Sequence, residues 1–320
     1  MQSAEIPEKI LQQLEKLEQK YESMGQDLSS YLDGLLYANY LTYWDYVHLD
    51  TLLSLQNPKT DFPDENIFIT YHQITELYFK LVLSEIHQIG KHLAITEEFF
   101  VARLKRVINY MKQLVGSFSI MIEGMDVEQF LKFRMSLLPA SGFQSAQFRM
   151  IEIVSTDFRH LTSHDFKRQI DTHTTIEEMY HNLYWKQGAT ELATGKKTLT
   201  LRQFEAKYTS QLIKLAYDFQ HINLWRIYKY HFKDSTTIPT LLREYDALMN
   251  IDWCLAHYSS AVRYLQRETA DIAATGGTNW QKYLPPRFQR QIFYPELWTE
   301  DEKEEWGKNW VVQQLGKIKK

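Results

Sequence analysis

Apolar residues recur at helical spacing through most of this 320-residue chain, and little interrupts them. With only 12 glycines and 8 prolines, turns are few, which favours long helices over many short strands. Residues 4–24 carry Ile6, Ile10, Leu11, Leu14, Leu17 and Tyr21 between Glu, Lys and Gln, one apolar stripe on a polar helix. Such a helix packs on its own domain or swaps onto a neighbouring subunit. A pattern rich in Tyr and Leu continues from Ser29 to Gln56 and stops at Asn57-Pro58. Further helices are predicted over 66–89, 94–121 and 126–138, from Phe143 towards Ser155, and over 176–192 and 200–231. A long core helix is expected from Leu241 to Gln266. The fold class is all-α.

A net charge of −4 without a recurring basic patch argues against nucleic acid as a partner. The single cysteine, Cys254, excludes an intramolecular disulfide framework and fits a reducing cytoplasm. No apolar run reaches membrane-spanning length and no apolar leader opens the chain, so a cytoplasmic protein is expected. Aromatic residues make up 14%; most must pack the core, and the excess suits a pocket for a flat ligand.

The stretch from Phe130 to Arg149, FLKFRMSLLPASGFQSAQFR, reads as two helices meeting at a break. Phe130, Phe133, Leu137 and Leu138 fall at helical spacing, and Pro139 ends the run because its ring cannot continue a helix interior. Ser141 and Gly142 are cap-like, and Phe143 opens the second stretch. Arg134 shares a face with Phe130. Its aliphatic stem can simply cover apolar surface with the charge in water; alternatively the guanidinium holds a carboxylate by a bidentate pair. Spacing leaves both readings open.

PASGFQSAQFR, preceded by Phe133-Arg134, resembles the signature of the tryptophan 2,3-dioxygenase family. Three further segments resemble it in the family's order: Tyr43 to Leu53 (YWDYVHLDTLL), the HQ-x-x-EL-x-FK run from His72 to Lys80, and Trp253-x-x-x-His257 with Thr275-Gly276-Gly277 downstream. The resemblance spans roughly residues 37–299. It implies a helical bundle enclosing a b-type haem in one domain over 1–320. It also implies a homotetramer in which the helices of about 1–56 reach a neighbouring subunit, and cleavage of the indole ring of L-tryptophan by O2 to N-formylkynurenine.

By the same resemblance, His257 is the axial ligand of the haem iron, and imidazole is a common donor where a second axial position must stay open. Arg134 holds the substrate carboxylate, and Thr275 contacts the ammonium and carboxylate. Phe68 and Phe130 wall the cavity, and His72 accepts a hydrogen bond from the indole N–H. Tyr43, Tyr46 and Val47 line the pocket of another chain; Tyr37 and Tyr40 offer a second register at the same spacing. The chain departs from the family pattern at Tyr78, where the family carries Trp, and at Thr278-Asn279-Trp280, where it carries Ser-Ser-Gly. The segment between His257 and Thr275 is also longer. No C-x-x-C-H is present, so covalent haem attachment has no support.

Competing readings use different residues. A di-iron bundle needs two Glu-x-x-His pairs, for which Glu178/His181 and the imperfect Asp218/His221 are the candidates. A non-catalytic haem protein needs only His257 and a pocket. A monooxygenase of an indole or another aromatic amino acid would share the site and insert one oxygen atom. His160, His164 and His173 lie in a polar stretch and are expected to be solvated.

Overall fold

A computed structural model describes residues 6–37, 42–134, 144–189, 196–265 and 290–307. Among them no strand forms, and an isolated bridge joins Thr162 to Leu183. No helix of the described residues is long and apolar enough to cross a membrane. The chain divides into two compact units, Met1–Leu55 and Gln56–Lys320.

The first unit holds α1 (Glu8–Ser23), α2 (Leu28–Tyr37), α3 (Tyr43–Tyr46) and α4 (Leu49–Leu53). Tyr21 of α1 and Tyr31 of α2 stack with ring centroids 4.4 Å apart. The pattern expected to run on to Gln56 is broken here. Thr42 caps α3 by accepting from the Asp45 backbone N–H, and His48 adopts φ 52° between α3 and α4. A left-handed residue cannot propagate a right-handed helix, so two short helices replace one longer one.

The second unit is built around α5 (Asp64–Gly90) and α6 (Glu97–Glu123). Along α5 the buried residues Tyr71, Thr75, Phe79, Val82, Ile86 and Ile89 form one stripe. It meets Phe100, Leu104, Val107, Met111, Leu114 and Phe118 of α6 in a single core. Each such large apolar side chain, taken from water, contributes roughly 1.5–3 kcal/mol before conformational entropy is counted. Thr96 caps α6 by accepting from Phe99 N–H at 3.2 Å. The chain continues through α7 (Val127–Phe133), α8 (Ala146–Ser155), α9 (His164–Lys167), α10 (Ile176–His181), α11 (Tyr184–Gln187), α12 (Leu199–Asp218) and α13 (Leu224–His231). It then runs through α14 (Ile238–Ala247), α15 (Trp253–Leu265) and α16 (Glu300–Glu304).

In the second unit three expected helices are interrupted. The run over 176–192 breaks at Asn182-Leu183, where Leu183 bridges to Thr162 and the Asn182 carbonyl accepts from Ser163 N–H at 2.8 Å. The run over 200–231 breaks before Asn223, whose amide oxygen caps α13 by accepting from Arg226 N–H at 3.0 Å. The predicted helix from Leu241 begins at Ile238, and a π-helical turn, Leu248–Asp252, joins α14 to α15. Such a turn inserts an extra residue and resets which side chains of the following helix face the core.

His160 is a correction to the sequence reading. It is buried, 6% exposed, with Nδ1 2.9 Å from Thr156 Oγ1 and 3.0 Å from the Phe293 carbonyl. Expected to be solvated, it instead ties the 3₁₀ turn Phe158–Leu161 to the late segment containing Phe293. The same segment is held from α14 by the buried carboxylate of Asp246. That group accepts from Phe293 N–H (2.9 Å), Tyr294 N–H (3.1 Å), Trp298 Nε1 (3.0 Å) and Asn250 Nδ2 (2.7 Å). His164 and His173 are exposed, as expected.

Candidate active site

Three helices of the second unit, α5, α7 and α15, meet over a cluster of aromatic rings. Their ends are stitched together: the Asp64 carboxylate at the start of α5 accepts from Asp126 N–H at 2.5 Å. Asp126 in turn caps α7 by accepting from Gln129 N–H at 2.9 Å. This places Phe68 of α5 6.2 Å from Phe130 and 5.9 Å from Phe133 of α7, ring centroid to centroid. Phe130 also lies 4.4 Å from Tyr264 of α15. Arg134 closes α7 as its C-cap, partly buried, with its guanidinium carbon 5.9 Å from the Phe130 ring centre.

His257 is partly buried on α15 between two ring edges, Phe118 and Trp253, each with its centroid 4.7 Å away. Its Nδ1 is 3.3 Å from the Trp253 carbonyl one turn earlier. A carbonyl only accepts, so Nδ1 carries the proton and Nε2 keeps its lone pair. Burial pushes the imidazole pKa down to about 4, and the charges of His72 and Arg149 push in the same direction. The ring is therefore neutral at physiological pH.

His72 on α5 is arranged alike. Its Nδ1 donates to the Phe68 carbonyl at 2.7 Å, which again leaves Nε2 as an acceptor. The ring lies 4.1 Å from Phe68 and edge-on to Tyr71 at 5.7 Å. One side of His72 is open, while protein crowds the rest closely enough that desolvation lowers its pKa.

Glu76, one turn beyond His72, lies at a spacing from which it can pair with Lys80 on the next turn. Its carboxylate Oε2 and its backbone oxygen instead both accept from Gln147 Nε2 of α8 at 2.8 Å. The start of α8 is capped by Ser145, which accepts from Phe148 N–H at 3.2 Å. Behind Trp253, Phe148 stacks on the indole at 5.8 Å. Arg149 forms a buried pair with Glu152 at 2.9 Å, joined by the Tyr184 hydroxyl, which donates to Glu152 at 2.5 Å.

Of the residues singled out in the sequence, Phe68, His72, Phe130, Arg134 and His257 come together on α5, α7 and α15. Thr275, Tyr40 and the Pro139–Phe143 break lie outside the described residues. Tyr43, Tyr46 and Val47 belong to the first unit, where Tyr43 and Tyr46 are 71% and 72% exposed. Phe118, Gln147 and Tyr264 were not singled out. Two carried a signal: Gln147 lies within the PASGFQSAQFR signature, and Tyr264 two turns after His257.

Of the residues the di-iron alternative needs, Glu178 is engaged in a helix cap and Asp218 pairs with Lys214. Glu178 Oε2 accepts from the backbone and hydroxyl of Thr175 in a capping box. No group of three or more His, Cys, Asp or Glu able to hold a metal occurs among the described residues. A separate cavity of about 110 Å³ lies between α8, α10 and α12, lined by Asp157, Phe158, Arg159, Met179, Phe219 and Arg226 among others. None of the α5–α7–α15 residues lines it.

An all-helical scaffold presenting neutral imidazoles beside a wall of phenyl rings and a guanidinium defines a protein equipped to hold a flat, anionic aromatic ligand. A family model described as "Tryptophan 2,3-dioxygenase" matches residues 35–159. A "Tryptophan 2,3-dioxygenase" of Ruegeria sp. (strain TM1040) is 30% identical over 273 residues, covering 82% of this chain and 92% of the relative. One of Herpetosiphon aurantiacus is 29% identical over 268 residues, covering 81% and 96%. One of Anaeromyxobacter sp. (strain K) is 45% identical over 113 residues, and there the match spans 35% of this chain and only 42% of the relative. The chain belongs to the tryptophan 2,3-dioxygenase family, whose members are oxygen-using oxidoreductases.

Proposed function

We propose that this chain, loaded with haem b, uses O2 to open the indole ring of L-tryptophan between C2 and C3, giving N-formylkynurenine. Both oxygen atoms enter the product and no group leaves. The observation that carries the reading is the shared tautomer of His72 and His257. Each ring is pinned as Nδ1–H by the carbonyl one turn earlier, and each offers a bare Nε2.

The donor set fits a haem. An iron ligand must be unprotonated, and His257 stays neutral down to about pH 4. Phe118 and Trp253 hold its plane, and Trp253 supplies the carbonyl behind it. His257 would hold the iron, and the haem supplies the activation of O2.

The chain's own groups do the positioning. Arg134 grips the substrate carboxylate through two parallel charge-assisted bonds. Phe68 and Phe130 form one wall of a flat slot that excludes water. Nε2 of His72 accepts the indole N–H, which orients C2 and C3 and fixes the ring for an effectively intramolecular reaction. Thr275 contributes contacts to the ammonium and carboxylate. In the assembled enzyme, a homotetramer in the cytoplasm, Tyr43, Tyr46 and Val47 of one subunit cover the pocket of another. The exposure of Tyr43, Trp44, Tyr46 and Leu53 in the first unit supports a covering role.

The test is direct. L-Tryptophan and O2 are added to the reduced, haem-loaded protein and the product is weighed by mass spectrometry. A gain of two oxygen atoms with ring opening is expected. A gain of one marks a monooxygenase, and no turnover by protein that binds haem marks a carrier.

A further inference from the structure

Tyr264 lies two helical turns beyond His257 on α15, so the two residues share a face of the helix. It is 3% exposed. Its hydroxyl donates to the carbonyl of Met121, with the Met125 carbonyl 3.5 Å away. Met121 sits in the last turn of α6, where carbonyls have no intrahelical donor, so the phenol satisfies an orphan acceptor. That bond fixes the ring, and the fixed ring backs Phe130 at 4.4 Å with planes 41° apart. Of the rings around Phe130, those of Phe133 and Phe68 lie farther off, at 5.4 and 6.2 Å. Arg134 follows one turn after Phe130 on the same wall.

We infer that Tyr264 is a positioning residue for substrate: anchored on α6 and seated against Phe130, it sets how far the Phe130–Arg134 wall stands from the helix bearing His257. Its hydroxyl and its ring do separate work. The hydroxyl anchors the side chain to α6, and the ring transmits that position to α7. The consequence is selective. A ligand gripped by its carboxylate depends on the wall standing at the right distance, whereas a ligand without a carboxylate does not. The inference rests on the reading in which Arg134 binds the substrate carboxylate.

The experiment compares haem-loaded wild type, Tyr264→Phe and Tyr264→Leu for equilibrium binding of L-tryptophan and of tryptamine, which has the same ring and ammonium but no carboxylate. Haem content and thermal midpoint are recorded alongside. Tyr264→Leu is expected to weaken L-tryptophan about fivefold or more, the scale of one aromatic pair removed from a wall, and tryptamine less than about twofold. Tyr264→Phe keeps the ring contact and should fall between wild type and Tyr264→Leu. Equal weakening of both ligands in step with a lower thermal midpoint overturns the inference in favour of simple packing. Should Tyr264→Leu not fold, Tyr264→Phe decides alone: an unchanged ratio of the two affinities overturns it. A wild type that does not prefer L-tryptophan to tryptamine removes the Arg134 reading and this inference together. A preference that persists undiminished in the variants removes this inference only.

Discussion

The imidazole of His257 meets the Phe118 ring with centroids 4.7 Å apart and planes at 65°. Phe118 comes from α6 and His257 from α15, so the core helix pair and the candidate ligand are oriented by one contact. The ring's polar neighbour is the Trp253 carbonyl. Because His257 contributes a single backbone hydrogen bond and is only partly buried, His257→Ala should fold with unchanged far-ultraviolet circular dichroism and bind no haem. Stoichiometric haem in that variant, measured by pyridine haemochrome, would place the ligand elsewhere.

Arg134→Ala should raise the KM for L-tryptophan by about tenfold or more, because a hydrogen bond to a charged group contributes about 1.5–3 kcal/mol. Steady-state kinetics with the amino acid checks this. Unchanged KM would leave Arg134 as a residue whose stem merely covers Phe130.

Gly90 ends α5 against the turn that precedes α13. A Cβ there would lie 2.8 Å from Cε1 of Phe219 and 2.9 Å from the Ile222 carbonyl oxygen. The ring can shift, but the backbone oxygen gives way only with its turn. Gly90→Ala should therefore destabilise the fold by about 1–3 kcal/mol. Chemical denaturation measures this, and a neutral result would show that the turn at 219–223 yields freely.

His160 makes stability depend on pH with a definite sign. Burial lowers its pKa from 6.5 to about 4 in the folded chain, with neighbouring charges adding smaller effects of both signs. Between these values the unfolded chain takes up a proton that the folded chain refuses. The stabilisation is complete above about pH 6.5 and is lost as the pH falls towards 4, at most about 3–4 kcal/mol. Asp246 acts oppositely, because burial raises its carboxyl to about 6 and the folded state binds the proton first. The measurement is thus a difference: His160→Gln should show a shallower loss of stability than wild type from pH 6.5 to 4. Parallel curves would remove His160 from the account.

Much of the architecture was legible in the chain itself. The stripe Tyr71, Phe79, Val82, Ile86 and Ile89 has helical period whatever it packs against, and α5 and α6 end close to where the pattern does. The breaks were not legible. Asn182-Leu183 and the turn before Asn223 interrupt runs whose apolar spacing carries on across the gap, because both flanking helices still face the core, and the break at His48 rests on one left-handed residue. Where the break depends on one dihedral angle or one cap, periodicity is blind to it.

The sequence alone determined that the chain is helical, which family it resembles, and that His72 and His257 each lie inside a helical run. These are local properties, settled within a few residues of backbone. The tertiary structure alone decided that Phe130 lies against Tyr264, that Gln147 rather than Lys80 takes Glu76, and that His160 is buried beside Phe293. Those outcomes join residues far apart in the chain. They follow from how the helices pack against one another, and no spacing rule along a single helix contains that information.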